Sequence, residues 1–436
     1  MRPVGCRIVR GVRGRWLAVL HLAVVAALIS GCDLIGGGPV QEVRAAVPRL
    51  PADTVSADQL AQLVSSDTDF ASRLYLQVAG SQDGNLFLSP YSISTALSMV
   101  YAGAGGDTAA QIKATLAIPG DGSTWHASRN RLDLGLAALA TGSTTLTLST
   151  ANALFAQRDF RLKQPFLETM AADYGAGVQT VDFAGATEQA RQALNGWVSQ
   201  RTNSRIPQLL GPGAVNVMTR LVLVNAIYLK AKWIVEFDPN RTAEAWPFHL
   251  LEGGTAQVPL MHKDDSLDYA AGNGWQAVRI PYFGASMLVV VPDEGRFATV
   301  EASLDGQFVQ GVEDILRPTE VKLGLPRWDT DSKFDLVQSL QELGIDDLFD
   351  AHAADLSGIA SEGLSASGVV HEANVTVGEK GTEAAAATAV VLQAIGAPIG
   401  GPTPIVLNVD HPFLYFIQDD LAHEILFMGR FTGPSA

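Results

Sequence analysis

Residues 379–396, reading Glu-Lys-Gly-Thr-Glu, four alanines, Thr-Ala-Val-Val-Leu-Gln-Ala-Ile-Gly, constrain this chain more than any other stretch. The charges cluster at its start, on Glu379, Lys380 and Glu383, and no charged residue follows until Asp410. Small residues come first, Ala384 to Ala387 with Thr388 and Ala389, and larger ones follow at Val390, Val391, Leu392 and Ile395. Glycines and prolines then run from Gly396 to Pro404. Such a segment is too apolar for an ordinary loop, whose backbone water must satisfy. Thr388, Val390 and Val391 also favour strands over helices. In an extended chain Thr382, Ala384, Ala386, Thr388, Val390 and Leu392 share one face, and Glu383 falls on the other. The stretch therefore suits two environments, an exposed loop and a strand with one face on a core. An Ala-rich linker or a short helix is the plainer alternative.

The N-terminus reads as a targeting segment. Arg2, Arg7, Arg10, Arg13 and Arg15 accompany an apolar run from Trp16 to Ile29, and Ile29-Ser30-Gly31-Cys32 follows. Small residues before a cysteine resemble the lipobox of bacterial lipoproteins. That resemblance implies removal of residues 1–31, acylation of Cys32 and export to the cell envelope or surface as a membrane-anchored protein. The apolar run is short for a membrane span, which takes about 20 residues. With Cys6 lost and Cys32 acylated, no disulfide remains possible. Residues 33–57 contain Gly36-Gly37-Gly38-Pro39, Pro48 and Pro51, and read with Cys32 as a flexible tether. Without the five leader arginines the chain has 25 basic and 45 acidic residues, a net charge of −20. That balance argues against nucleic-acid binding, which needs a basic face, and equally against a heparin-type site.

No linker or internal repeat appears after residue 57, so 58–436 read as one large domain. Helical spacing marks 58–79, as two helices or one broken one, then 110–117, 126–140, 164–174, 187–200 and 334–343. Alternating or apolar runs mark strands at 144–155, 219–230, 257–260, 267–270, 275–282, 286–291, 319–328 and 369–377, and two more near the C-terminus. The class is α+β. Gly363-Leu-Ser365-Ala-Ser367 falls short of a nucleophile elbow because its fifth residue is serine. His371-Glu372 and His423-Glu424 open like zinc motifs, but Val375 and Phe427 stand where the second histidine is needed. Nothing in the sequence implies a cofactor, a metal or an enzyme's catalytic set.

Many local patterns resemble the serpin family. They include Asn85-Leu-Phe-Leu-Ser-Pro90-Tyr-Ser92, Asn195 and Trp197 before Thr202 and Ile206, and Lys232-Trp233 with Phe237, Thr242 and Phe248. Met287 to Gly295, Asp355-Leu-Ser-Gly-Ile359 and Asp410-His-Pro-Phe413 add to them, and together they cover about 58–434. The resemblance implies three β-sheets with surrounding helices and an exposed reactive-centre loop. It makes Glu379, Gly381, Thr382, Glu383, Ala384, Ala385, Ala386, Ala387 and Thr388 the hinge. It makes Ser92, Asn225 and His371 a hydrogen-bonded shutter in the main sheet, and places Trp233 where insertion begins. Counting sixteen residues from Glu379 puts the scissile bond at Ile395–Gly396, with Gln393, Ala394 and Ala397 as neighbours if the count slips. The implied activity is suicide inhibition of a serine endopeptidase, through a covalent complex and as a monomer. No Lys or Arg occurs from Thr382 through Val409, so an elastase-, subtilisin- or chymotrypsin-like target is expected over a trypsin-like one. A non-inhibitory serpin acting as a surface binding lipoprotein is the alternative.

Overall fold

Two β-networks of unlike connectivity organise the body. The computed structural model describes residues 39–141, 143–382 and 403–434. The main sheet has seven strands, β1 (Gln41–Val43), β3 (Leu146–Gln157), β4 (Val178–Val181), β5 (Leu221–Lys232), β11 (Trp328–Asp335), β12 (Ala366–Gly378) and β13 (Gly381–Thr382), in the order β1-β4-β3-β5-β13-β12-β11. The second network holds β2 (Leu86–Leu88), β6 (Ala243–His249), β7 (Thr255–Gly272), β8 (Trp275–Pro281), β9 (Ala285–Pro292), β10 (Arg317–Pro326), β14 (Ile405–Asn408), β15 (Phe413–Asp419) and β16 (Ile425–Phe431). Its order is β14-β10-β7-β8-β9-β15-β16-β2, with β6 paired to β7. The three sheets expected from the sequence thus appear as two networks, because two of them share β7. This strand has 18 residues, pairs with β6 through its first part and reaches β8 with its last.

The sequence reading split β7 at Lys263-Asp264-Asp265, whose charges look like a turn. Alternation persists there: Lys263 is buried, pairs with Asp265 at 3.0 Å and lies 5.1 Å over the Phe237 ring. A similar compensation makes α1 (Ala57–Ala79) one unbroken helix of 23 residues, opened by a capping box between Ser56 and Gln59. Its polar middle is not a break, because Asp67 points inward and pairs with buried Arg129 of α4 (Gly122–Ala140). Glu424 packs against the same buried pair, and burial holds its carboxyl well above the ordinary range. Strand β11 was expected as the end of β10 and the start of a helix. Its inward residues are Trp328, Thr330 and Ser332, too polar a set to announce a buried face.

The other helices are α2 (Pro90–Tyr101), α3 (Gly106–Thr115), α5 (Gln164–Asp173), α6 (Thr187–Arg201), α7 (Phe297–Ala302), α8 (Gly306–Ile315) and α9 (Val337–Glu342). Ser89 caps α2 and Pro90 fills its first turn, as the sequence suggests. The first strand is a correction. Residues 39–57, expected to be tether, are fastened to the body: β1 pairs with β4, and Ala45 and Val55 are buried. Prolines had suggested a loose chain, yet the extended backbone they favour also suits a strand added to a sheet edge.

Candidate functional site

The site is the seam between β5 and β12. From Leu221 to Ile227 on β5 and Ala366 to Ala373 on β12 the two strands pair in parallel. Above that level the chain turns at Glu379–Lys380, and β13 runs back between them. Gly381 pairs with Lys232 and Gly378, and Thr382 with Ala231 and Val377. The first hinge residues thus already form a strand in the main sheet. Gly381 has φ of 134°, and a Cβ there would lie 2.0 Å from the Ala231 carbonyl oxygen, so only glycine fits. Thr382 is 1% exposed, and its hydroxyl lies 2.6 Å from the Tyr282 hydroxyl.

Aromatic residues frame the entrance. Trp233 stacks on Tyr282 with ring centroids 4.0 Å apart, and Phe237 meets Trp233 edge-on. The Trp233 indole N–H donates to the Gly378 carbonyl at 2.9 Å, and its backbone N–H donates to Lys380. Glu379 accepts from the Thr242 hydroxyl at 2.9 Å and pairs with Arg327 at 3.3 Å, while Arg327 also reaches Glu244. A cavity of about 590 Å³ opens beside this turn, lined in part by Arg327, Trp328, Val377 and Lys380. Trp233 thus touches the backbone of the Gly378–Lys380 turn directly.

Lower in the seam Ser92, Asn225 and His371 come together as expected, all fully buried. The Ser89 N–H donates to His371 Nε2 at 3.1 Å, so Nε2 is the acceptor and Nδ1 carries the proton toward Asn225 Oδ1. Asn225 donates to Ser92 at 2.6 Å and to Asn152 at 3.1 Å, and Ser92 donates to Asn152 at 2.5 Å. Burial lowers the His371 imidazole to about 3, which keeps it neutral. Asn152 pairs with Asn225 across β3–β5, and His371 with Asn225 across β12–β5. One polar row therefore crosses β3, β5 and β12. Asn152, Ser89, Tyr282 and Arg327 escaped the sequence reading. Strand register places Asn152, and tertiary contacts place the other three, although an asparagine within the alternating run at 144–155 was a signal. Glu383, Ala384, Ala385, Ala386, Ala387, Thr388, Ile395 and Gly396 lie outside the described residues, as does Cys32.

Residues 65–434 match the family model described as serpin (serine protease inhibitor). A serpin-like protein of Thermococcus kodakarensis is 35% identical over 392 residues, covering 89% of each chain. Leukocyte elastase inhibitor of Bos taurus is 37% identical over 386 residues, covering 86% of this chain and all of the relative. Among solved structures, a highly specific serpin of the insect Tenebrio molitor superposes with a TM-score of 0.75 at 30% identity, over 87% of this chain and 99% of that one. Uncleaved ovalbumin gives 0.76 at 28% identity, over 85% and 100%. A hinge threaded between two strands, a polar row beneath it and these likenesses over almost the whole body lead to one conclusion: the chain belongs to the serpin family.

Proposed function

We propose that this chain inhibits a serine endopeptidase by sacrificing its own loop. The observation that carries the reading is β13: Gly381 and Thr382 are hydrogen-bonded between β5 and β12 in the uncut chain. Insertion is already nucleated there, and the next inward residues are Ala384, Ala386 and Thr388, small enough to follow. In this scheme the protease serine Oγ bonds to the Ile395 carbonyl carbon and the Ile395–Gly396 bond breaks. The new amine leaves with the proton, and an ester joins inhibitor to enzyme. The freed strand then extends β13 down the seam, carrying the acyl-enzyme with it before water arrives. The uncut fold is kinetically rather than thermodynamically stable in this reading.

The uncharged bait favours an elastase-, subtilisin- or chymotrypsin-like target. The leukocyte elastase inhibitors among the relatives bear a name consistent with that class. We place the chain on the outer side of a membrane, held by lipid on Cys32 after loss of residues 1–31. The test mixes residues 33–436 with an elastase-like and a trypsin-like enzyme. A covalent band on a denaturing gel, formed with the elastase-like enzyme and joined at Ile395 by mass spectrometry, is the expected result. Cleavage without any covalent band sinks the proposal and leaves a non-inhibitory binding protein.

A further inference from the structure

The carboxylate of Asp173 sits where three separate effects oppose its charge. It closes α5, at the helix end where the backbone carbonyls already gather partial negative charge. It is 9% exposed, so little water reaches it. Its side chain makes no hydrogen bond and no ion pair among the described residues. Arg49, whose charge reaches it, is spent on Asn130 at 2.8 Å and on Asp133 at 2.5 Å. Burial pushes the Asp173 carboxyl up to about 6, which leaves it ionised at neutral pH. A buried carboxylate is ordinarily paired with a cation, and this one is not.

Asp173 lines a cleft of about 640 Å³ between α5, the start of α4, the turn from α2 to α3 and the N-terminal segment. That volume falls within the range of small-molecule sites. Its wall is largely apolar, built by Leu50, Val55, Tyr101, Ala102, Ala104 and Ala109. His126 belongs to the same wall, with Nδ1 joined to the Tyr174 hydroxyl at 2.6 Å. Burial lowers its imidazole to about 4, so it is neutral at pH 7 and does not offset the carboxylate. The Tyr101 ring beside it suits a cation as well as a hydrocarbon chain. No lysine, arginine or second acid lines the cleft among the described residues, so its charge at neutral pH is that of Asp173 alone.

A metal ion would ask for several oxygen or nitrogen ligands. No group of three histidine, cysteine or carboxylate side chains able to hold one occurs among the described residues. One unpaired carboxylate on an apolar wall instead matches a cation that carries hydrocarbon with it.

We propose that this cleft binds a small organic ammonium ion, with its charge on Asp173 and its hydrocarbon body against Leu50, Val55 and the alanines. The inference uses none of the hinge residues and stands whether or not the loop inserts.

The test titrates n-butylammonium chloride into the uncut mature chain near neutral pH, followed by calorimetry. Sodium chloride, calcium chloride and butan-1-ol are titrated in parallel. Saturable binding of the ammonium at one site is expected, without binding of the other three at the same concentration. Asp173→Asn keeps the shape of the side chain and removes its charge. That variant is expected to bind the ammonium at least about tenfold more weakly. It should melt no lower than the parent, because a buried unpaired charge has gone. The parent's affinity should fall about tenfold per pH unit below about pH 6, as the carboxyl takes up its proton, and the variant should show no such fall. Absence of saturation in the parent overturns the site, and so does equal affinity in Asp173→Asn. Sodium or calcium displacing the ammonium would show a simple ion site in its place. A variant that melts well below the parent also overturns the proposal, since the carboxylate would then serve the fold itself.

Discussion

At the scale of single residues, the hinge sets two sharp demands. Gly381 must be glycine: an alanine would meet the Ala231 carbonyl in a backbone region that costs about 1–3 kcal/mol to hold. Gly381→Ala is expected to expel β13 and raise the number of inhibitor molecules cut per protease trapped, read by titration. Thr382→Arg asks more, since a guanidinium would replace a buried hydroxyl beside Tyr282. That variant should become a plain substrate, and retained trapping on a gel would refute insertion for this chain. His371 makes a pH prediction. Its ordinary value of 6.5 falls to about 3 on burial, so the unfolded chain binds the proton more readily. The stability it contributes is complete above about pH 6.5 and is lost as pH falls toward 3. His371→Gln should therefore flatten that part of the acid denaturation curve. Glycine, threonine and histidine were all legible in the sequence through their family pattern. Tyr282 and Asn152 were not, because no local spacing says which strands will be neighbours.

At the scale of elements, legibility followed burial pattern. Strands β9 and β16, and β5 as far as Leu229, are buried along their length and read directly as apolar runs. The reading failed where a polar group was compensated far away in sequence: Asp67 by Arg129, Lys263 by Asp265 and Phe237, and the inward Thr330 and Ser332 of β11. The polar row ties β3, β5 and β12 together at one level of the sheet. Asn152→Ala would leave buried donors from Ser92 and Asn225 without an acceptor, a loss of about 1–3 kcal/mol. A lower melting temperature of the uncut chain, with little change in the cleaved one, is the expected signature in calorimetry.

At the scale of the whole molecule, the proposed lipid on Cys32 makes its own prediction. If Cys32 carries that lipid, Cys32→Ser should release the chain into the medium in a fractionation assay. The main sheet, finally, has a direction at every junction. From β3 to β5 and from β12 to β11 neighbours alternate, but β5 and β12 run the same way. A strand continuing β13 runs against both, as Gly381 and Thr382 already do. One added strand therefore restores strict alternation from β3 to β11, and a second would spoil it again. The seam has a parity: an odd number of strands between β5 and β12 alternates and an even number does not, so the loop insertion proposed above would complete the sheet in a single step.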